Sequence, residues 1–388
     1  MLFFLQPAWV LIAFLTFPNQ NQIPEIYLKP ILHVNFGDPT ADKPQSKSWV
    51  HDDYTWLVVA GEKGPELWKR DKTWQSQTLV NTTWKGQPNK ADVYSSQNDA
   101  YVLLVEECLL KVAHLEYSKK SKQYNYKAIS NLPIPKECHS IETATITRDS
   151  QNRFWVASDW NEKIVVWHST DGISWSEPIT LAEDIDADDI SLVVSLKNKT
   201  SVIWSNQKTE SIMERTHDDR QSPELWSKPI IVQQGDSNAD DHLNATVFDD
   251  NSMALVTKNS LDKINEPQFV FRYRTPSGQW TNIPYENLPE KQQPSRPIIN
   301  HVKGGKIYTI HAVKDRTNSE YFISVKEVIH QKEAWEFKEL IRLRTHSKGK
   351  NGDVTSSKAP FTKSSPQLIF FSDDLGNVFE FDLKTLEG

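Results

Sequence analysis

The chain has 388 residues, with 44 Lys and Arg against 51 Asp and Glu, which gives a formal net charge of −7. Hydrophobic residues make up only 38%, but 14 Trp, 16 Phe and 11 Tyr can fill a core, so the composition excludes general disorder. The negative balance and the scattered Lys and Arg exclude a protein that binds the nucleic-acid backbone.

The first segment of the chain is apolar. Residues 1–17 are interrupted only by Gln6 and Pro7 and end at a polar run. The segment is shorter than the roughly 20 residues that cross a bilayer as a helix, which favours a cleaved secretory signal. An uncleaved membrane anchor is the alternative, because no Lys or Arg occurs in the segment. We therefore assign residues 1–22 to a signal peptide or N-terminal membrane anchor and residues 23–388 to one folded domain. The protein is expected to be secreted or periplasmic, or anchored outside the cell by residues 1–17.

Beyond this segment, a pattern of about fifty residues repeats along the chain. Each cycle has a β-rich run, a polar turn and then an aromatic residue. These aromatic residues are Trp74, Tyr124, Trp175, Trp226, Trp280, Trp335 and Phe381, at steps of 46 to 55 residues. One cycle has room for four short strands and their turns, which is the content of one β-propeller blade.

The third cycle shows the expected strands most clearly. Its strands are predicted at residues 141–147, 153–158 and 163–168, with the outer strand from Ser174 onward. The seven cycles, each with one of these aromatic residues, predict an all-β, single seven-bladed propeller with four-stranded blades. Six blades is the alternative. Residues 31–34 are expected to pair with residues 378–381 and close the ring, so that no sheet edge stays open.

The chain contains two cysteines, Cys108 and Cys138. They form a disulfide if the protein matures in an oxidising compartment. The alternative is a pair of buried thiols, and the sequence leaves both open.

The residues just before each predicted inner strand are unusually polar. Inner strands of a propeller all begin at one face around the axis, so these residues are expected to meet. Six of them recur at about the same interval of fifty residues as the predicted blades: Asp92, Glu142, Asp189, His242, Arg296 and Asp353. They predict a ring of acidic and basic groups around one mouth, suited to proton transfer. About half of the acids are expected to fix turns instead, above all Asp92 and Asp353.

Two chemistries are open for such a mouth. Two carboxylates on either side of a glycosidic bond can hydrolyse it. A histidine near the C5 proton of a uronate can instead remove that proton and cleave the glycosidic bond by elimination. The candidate catalytic residues are Glu142, His242, Asp241, Asp189 and His139. The candidate substrate-binding residues are Arg296, Asn244, His51 and Lys90. No cofactor and no metal site are predicted, although oxygen ligands from residues such as Asp188 and Asp240 would suit Ca²⁺.

Several stretches resemble a known group of proteins. Residues 169–175, Ser-Thr-Asp-Gly-Ile-Ser-Trp, look like a shortened Asp box, the turn between third and fourth strands of sialidase-superfamily propellers. The stretches Asp188-Asp189, Asp240-Asp241-His242 and Ser295-Arg296-Pro297 are similar to exported sialidase-like propeller proteins of largely unassigned activity. The resemblance covers residues 45–360 and implies a sialidase-like propeller. Relatives in this superfamily include sialidases, other exo-glycosidases and polysaccharide lyases.

The sequence departs from true sialidases in its arginines. Only Arg296 stands at a predicted strand start, where sialidases have an arginine triad, and the Arg-Ile-Pro motif is missing. Sialidase activity is therefore disfavoured. A single arginine still suits recognition of a uronate carboxylate.

Together these observations predict an exported carbohydrate-active enzyme. It would cleave glycosidic bonds of a polysaccharide or oligosaccharide, as a glycoside hydrolase or a uronate lyase, in a polar pocket at the propeller axis. The alternative is a non-catalytic propeller that binds a glycan or a protein, with Ca²⁺ in its mouth. The protein is expected to be a monomer and to have no nucleic-acid partner.

Overall fold

The computed structural model describes residues 23–42, 44–235, 237–332 and 334–387. The predicted signal or anchor, residues 1–17, lies outside them. Within these ranges, no helix combines the length and the apolar character needed to cross a membrane.

The described part of the chain folds almost entirely into strands. The strands are β1 (Glu25–Leu28), β2 (Leu32–His33), β3 (Ser48–His51), β4 (Tyr54–Val59), β5 (Glu66–Arg70), β6 (Trp74–Ser76), β7 (Lys90–Ser95), β8 (Asp99–Glu106), β9 (Leu109–Ser118), β10 (Gln123–Asn131), β11 (Ala144–Arg148), β12 (Phe154–Trp160), β13 (Lys163–Ser169), β14 (Ile179–Glu183), β15 (Ser191–Leu196), β16 (Lys199–Asn206), β17 (Ser211–Asp218), β18 (Ile230–Gln234), β19 (Leu243–Val247), β20 (Met253–Lys258), β21 (Pro267–Arg274), β22 (Trp280–Asn287), β23 (Gln292–His301), β24 (Ile307–Asp315), β25 (Tyr321–Gln331), β26 (Ala334–Thr345), β27 (Thr355–Ser356), β28 (Leu368–Ser372) and β29 (Asn377–Asp382). A short helix, α1 (Thr78–Thr83), and 3₁₀ turns at Gln207–Thr209 and Leu383–Leu386 complete the described elements.

These strands form seven sheets in the described residues, and each sheet contains a blade of four antiparallel strands. Five blades are runs of four consecutive strands from β3 to β22. The sixth contains β23 to β26, and the seventh contains β27 to β29 with β2. The first strand of a blade packs against the first strand of the next, for example β11 against β15 and β19 against β23, so these strands surround the axis. The predicted seven-bladed propeller is confirmed, and the six-bladed alternative is wrong.

The ring closes as the sequence predicted. β2 pairs antiparallel with β29, with Leu32 opposite Val378, and so supplies the outer strand of the seventh blade. One strand was not predicted. β1 lies parallel to β26 and widens the sixth blade to five strands.

The middle strands of the blades form the core. In β4 the four consecutive residues 56–59 have no exposed surface, because neighbouring blades cover both faces of the sheet. A strand buried on both faces has no reason to alternate apolar and polar residues. The sequence Trp-Leu-Val-Val therefore forms a strand although it lacks alternation.

Four of the seven aromatic residues lie in outer strands, and Trp175 and Trp226 precede the outer strands β14 and β18. Trp74 and Trp280 begin β6 and β22, while Trp175 precedes β14, which starts at Ile179 rather than at the predicted Ser174. Phe381 differs because it lies in β29, the third strand of its blade. The reason is that β2 provides the fourth strand there.

The two cysteines form a disulfide. Cys108, between β8 and β9, is joined to Cys138, which precedes β11, with 5.9 Å between their Cα atoms. The alternative of two buried thiols is therefore wrong.

Candidate functional site

Three carboxylates from three blades converge where the inner strands begin. We call this end of the axis the axial mouth. Glu142 precedes β11, Asp188 precedes β15 and Asp241 precedes β19, and one oxygen of each lies within 4.8 Å of the others. Glu142 and Asp241 are half-buried, while Asp188 is exposed. Polar residues far apart in sequence are thus brought together at this mouth.

A histidine adjoins this cluster. Nδ1 of His242 contacts Oδ1 of Asp240 and lies 2.5 Å from Oδ1 of Asp241. The ammonium of Lys258 lies 2.5 Å from the other oxygen of Asp240. Nε2 of His242 is buried and has no hydrogen-bond partner among the described residues. The ring therefore directs one nitrogen at carboxylates and keeps the other away from solvent.

The backbone that carries Glu142 is held by a buried acid. The carboxylate of Asp159, at the end of β12, accepts hydrogen bonds from the backbone N–H of Glu142 at 2.9 Å and of Thr143 at 3.1 Å. Burial raises the pKa of Asp159 to about 6, and the two N–H groups oppose that rise. The sequence analysis missed this residue because it lies in a second strand and not at the start of an inner one.

A stretch of irregular chain crosses the axial mouth. We call residues 38–42 and 44–47 the axial segment. The Thr40 hydroxyl donates to the carbonyl of Asp353 at 2.7 Å, in the seventh blade. Gln45 Nε2 donates to the carbonyl of Ala144 at 3.2 Å, in the third blade. The segment therefore links blades on different sides of the axis and forms part of the wall of the mouth.

The axial segment buries a lysine. Lys47 is 1% exposed, and its ammonium donates to Oε1 of Gln45 at 2.9 Å and to the carbonyl of Ala91 at 2.8 Å. Burial lowers the pKa of Lys47 to about 8, against the opposing effect of Asp42 and Asp92. A positive charge thus lies beneath the acidic mouth.

Two further basic groups lie at the rim. Lys90 Nζ lies 2.8 Å from Asp42 Oδ2 and also donates to the carbonyl of Glu142 at 3.1 Å. Arg296 Nε lies 2.7 Å from Asp353 Oδ1. The Arg296 side chain is 42% exposed, so part of the guanidinium faces solvent. Both were predicted substrate-binding residues, and the structure places both at the mouth.

Several other candidate residues have architectural contacts. Asp189 is fully buried and accepts the backbone N–H groups of Asp186 and Gln207. Asn244 accepts the N–H of Ile299 at 3.0 Å and donates to the carbonyl of Pro44 at 3.3 Å. Both side chains hold neighbouring backbone in place.

His51 and His139 lie apart from these contacts. His51 was expected just before an inner strand, but it is the last residue of β3 and packs on Tyr117 with 4.1 Å between ring centroids. The strand was misplaced because Asp52 and Asp53 form a tight turn with φ of 51° and 63°, without the Gly or Asn that signals such a turn. His139 is exposed, and its backbone N–H donates to Asn161.

The donor set at the mouth has two possible uses. Glu142, Asp188 and Asp241 offer only carboxylate oxygens, which suits a hard cation such as Ca²⁺. A second group of candidate ligands consists of Asp240, Asp241 and His242, in which a ring nitrogen joins the carboxylate oxygens. The same carboxylates lie close enough to act as a proton-donor and nucleophile pair.

The opposite end of the axis has a different character. A cavity of about 180 Å³ opens there among the far ends of the inner strands, with Thr147, Val193, Thr246 and Lys358 in its wall. Lys358 donates to a carboxylate oxygen of Asp92. In the described part of the chain, both groups of acidic residues that could hold a metal ion lie at the axial mouth.

Comparison with known proteins gives a likeness of fold. No protein-family model matches the chain, and no curated protein matches it in sequence. The polysaccharide lyase Uly1 superposes with a TM-score of 0.50 at 9% identity, over 95% of this chain and 93% of that one. The NanB sialidase from Streptococcus pneumoniae gives 0.46 at 11% identity, over 84% and 71%. The α-L-arabinanase of Penicillium chrysogenum, solved with arabinobiose, gives 0.41 at 10% identity, over 92% and 99%.

Proposed function

We propose that this protein is an exported glycoside hydrolase that acts at the axial mouth. The observation that carries the proposal is the convergence of Glu142, Asp188 and Asp241 within 4.8 Å. Two carboxyl groups roughly 5–5.5 Å apart are typical of retaining glycosidases, whereas inverting enzymes separate them by about 6.5–9.5 Å. The chosen oxygens at the mouth lie closer together than the inverting separation, which favours the retaining arrangement. The disulfide between Cys108 and Cys138 supports maturation in an oxidising compartment, and hence export.

The contacts suggest a role for each carboxylate. Asp241 is the nucleophile, because Nδ1 of His242 lies 2.5 Å from its carboxylate and a hydrogen bond from a ring N–H favours the ionised form. Glu142 is the proton donor to the leaving oxygen. Asp241 would attack the anomeric carbon as Glu142 protonates the glycosidic oxygen, and the C–O bond breaks to leave a glycosyl ester on Asp241. Water, deprotonated by Glu142, then hydrolyses this ester and restores both side chains.

Elimination is less well supported by the geometry. A lyase base must reach the C5 proton of a uronate with a free nitrogen. In His242 one nitrogen faces two carboxylates and the other is buried. This arrangement favours hydrolysis by the carboxylates over elimination by His242.

The test measures two products from one panel of neutral and uronate polysaccharides. Reducing ends without ultraviolet-absorbing unsaturated ends are expected, and the first anomer released should match the anomer of the substrate. Glu142→Gln and Asp241→Asn should each lower the rate by about a hundredfold or more. Glu116→Gln, at a surface ion pair with Lys127 and 50% exposed, is the matched control and should keep full activity.

Other results would support the alternatives. Unsaturated ends formed at an unchanged rate by Glu142→Gln would indicate a lyase. Glycan binding without turnover, lost in Asp241→Asn and on removal of Ca²⁺, would indicate a binding propeller whose carboxylates hold a cation.

A further inference from the structure

We propose that a polar cavity beside the axial mouth is a second saccharide subsite, which holds a neutral sugar unit of the chain that is cleaved at the mouth. The inference rests on the proposed function, because it extends the same substrate. The cavity has a volume of about 570 Å³, within the roughly 300–1,000 Å³ of small-molecule sites. Its wall includes Tyr27, Glu320, Tyr321, Arg344, His346 and Asn351.

The cavity opens at the same face as the mouth. The wall contains the start of β25, the end of β26 and the connection from β26 to β27. Since strands of a blade alternate in direction, these ends lie where the inner strands begin. Asn351 in the wall is two residues from Asp353, which pairs with Arg296 at the mouth. Two residues span at most about 7 Å, so one extended ligand can contact both places.

A buried amide in this wall has no partner. Asn351 is 4% exposed, and neither its Nδ2 nor its Oδ1 forms a hydrogen bond with any described residue. A buried amide that is left unsatisfied costs about 1–3 kcal/mol, so such a group calls for an explanation. An amide that offers both a donor and an acceptor matches a sugar hydroxyl, which also does both.

The charges in the wall favour a neutral ligand. The Arg344 guanidinium donates two parallel hydrogen bonds to Glu25, at 2.9 and 3.0 Å, and a third to Glu320 at 3.1 Å. Lys348 is the remaining cation of the wall. Glu25 lies outside the wall, and with it included the formal charges of Glu25, Glu320, Arg344 and Lys348 cancel. An anionic sugar would find its best cation already engaged.

An aromatic ring completes the set. Tyr27, from β1, stacks on His346 with 4.7 Å between ring centroids and 16° between the planes. It keeps 52% of its surface exposed. The apolar body and polar tip of a tyrosine suit contact with the face of a sugar ring. The strand that widens the sixth blade would thus have a binding role.

The test is calorimetric titration of the full protein carrying Glu142→Gln, which is expected to slow cleavage by about a hundredfold or more. The probes are neutral hexasaccharides of arabinose, xylose, galactose and glucose, and a hexasaccharide of galacturonate for comparison. At least one neutral hexasaccharide should bind, and both Tyr27→Ala and Asn351→Ala should weaken it at least tenfold. Tyr126→Ala, on the outer strand of the second blade, should not change the affinity. Unfolding midpoints of the variants show whether they fold.

The two proposals fail in different ways. If neutral hexasaccharides bind through Tyr27 and Asn351 but wild-type protein cleaves none, the hydrolase proposal is wrong and the subsite stands. If wild-type protein cleaves, and Tyr27→Ala and Asn351→Ala leave KM for hexasaccharides and disaccharides unchanged, the subsite is wrong. A raised KM for hexasaccharides alone supports it. The subsite proposal is wrong if no probe binds, or if Tyr27→Ala and Asn351→Ala change the affinity for every probe by less than twofold. It is also wrong if the galacturonate hexasaccharide binds more tightly than the neutral ones.

Discussion

Asp159 acts on the candidate site through the backbone of Glu142. Replacing it by Asn turns one acceptor into a donor that opposes a backbone N–H, so Glu142 should shift. Displacing a reacting group by about 1 Å costs on the order of 100-fold in rate. We expect Asp159→Asn to lower kcat at least tenfold with little change in KM. The wild-type pH profile should also contain a titration near pH 6, from the raised pKa of Asp159, that the variant lacks.

Asp184→Asn is the control for this prediction, because that carboxylate is 90% exposed. An unchanged kcat and pH profile in Asp159→Asn would contradict a positioning role. Loss of activity together with loss of folding would assign Asp159 to stability alone.

His301 should make the fold sensitive to mild acid. It is 3% exposed and contacts the Thr246 hydroxyl at 2.8 Å, and burial lowers the pKa of His301 to about 4. Between about pH 6.5 and 4 the unfolded chain takes up a proton that the folded chain does not, so stability falls as pH drops through this window. We expect the free energy of unfolding to fall by about 2 kcal/mol less in His301→Gln than in the wild-type protein over this pH range. Urea unfolding at pH 7 and pH 4.5 measures it.

The control for His301 is His33→Gln, since His33 is exposed. An identical acid dependence in wild-type protein and His301→Gln would show that other groups, such as the buried His311, set the response.

Residues of the mouth were predictable where they adjoin the start of an inner strand. Glu142, Asp241 and His242 were found in this way, because the repeat fixes where such strands begin. Asn351, two residues before Asp353, was not among the predicted site residues. Its unsatisfied amide depends on packing between two blades, which no local pattern in the sequence records.

At the scale of elements, β2 is expected to hold the ring closed. Leu32 is 8% exposed and packs in a cluster with Val378, Leu57 and Phe370. Truncating a buried leucine costs about 2–5 kcal/mol. We expect Leu32→Ala to lower the free energy of unfolding by about 2 kcal/mol, since the strand is short, and urea denaturation measures this change.

The neighbouring His33→Ala provides the comparison, because His33 is exposed and a surface change costs about 0.5 kcal/mol or less. Equal effects of the two substitutions would indicate that β2 does not close the ring in solution.

Elements with a strong apolar pattern were predictable, and weak ones were not. The closing pair of β2 and β29 was anticipated because the alternative leaves an open sheet edge. β1 was missed because three of its four residues are exposed and it adds to a blade that is already complete. The start of β14 was placed five residues early, since the turn after β13 extends to residue 178.

At the scale of the whole molecule, Asp92 ties blades together near the axis. Its carboxylate accepts the backbone N–H of Ser46 and of Ile146, each at 2.7 Å, and pairs with Lys358 from the seventh blade. Removing one member of a buried ion pair costs about 3–5 kcal/mol. Because Lys358 keeps some exposure, we expect Asp92→Asn to lower the free energy of unfolding by about 3 kcal/mol in a single transition.

The double variant Asp92→Asn/Lys358→Met should recover part of this loss, since it leaves no unpaired ammonium. Denaturant unfolding followed by tryptophan fluorescence and by circular dichroism checks both points. Two separated transitions would mean that the blades unfold independently.

The architecture follows from a period that runs through the chain, so blade number and ring closure could be predicted. The axial segment could not, since its residues share no periodicity and are defined only by partners in several blades. The same limit applies to the substrate. The sequence indicated acids around one mouth, whereas a wall that joins Tyr27 to Asn351 exists only after residues more than 300 positions apart have met.

The pairing of β2 with β29 sets an order on biosynthesis. His33 leaves the ribosome long before its partner Asn377, which lies 344 residues later. Until then the seventh blade has no outer strand, and the backbone groups of β2 remain available to other strands. The two strands can therefore pair only after nearly all of the chain has been synthesised. Ring closure through β2 and β29 cannot begin before residues 377–382 have been synthesised.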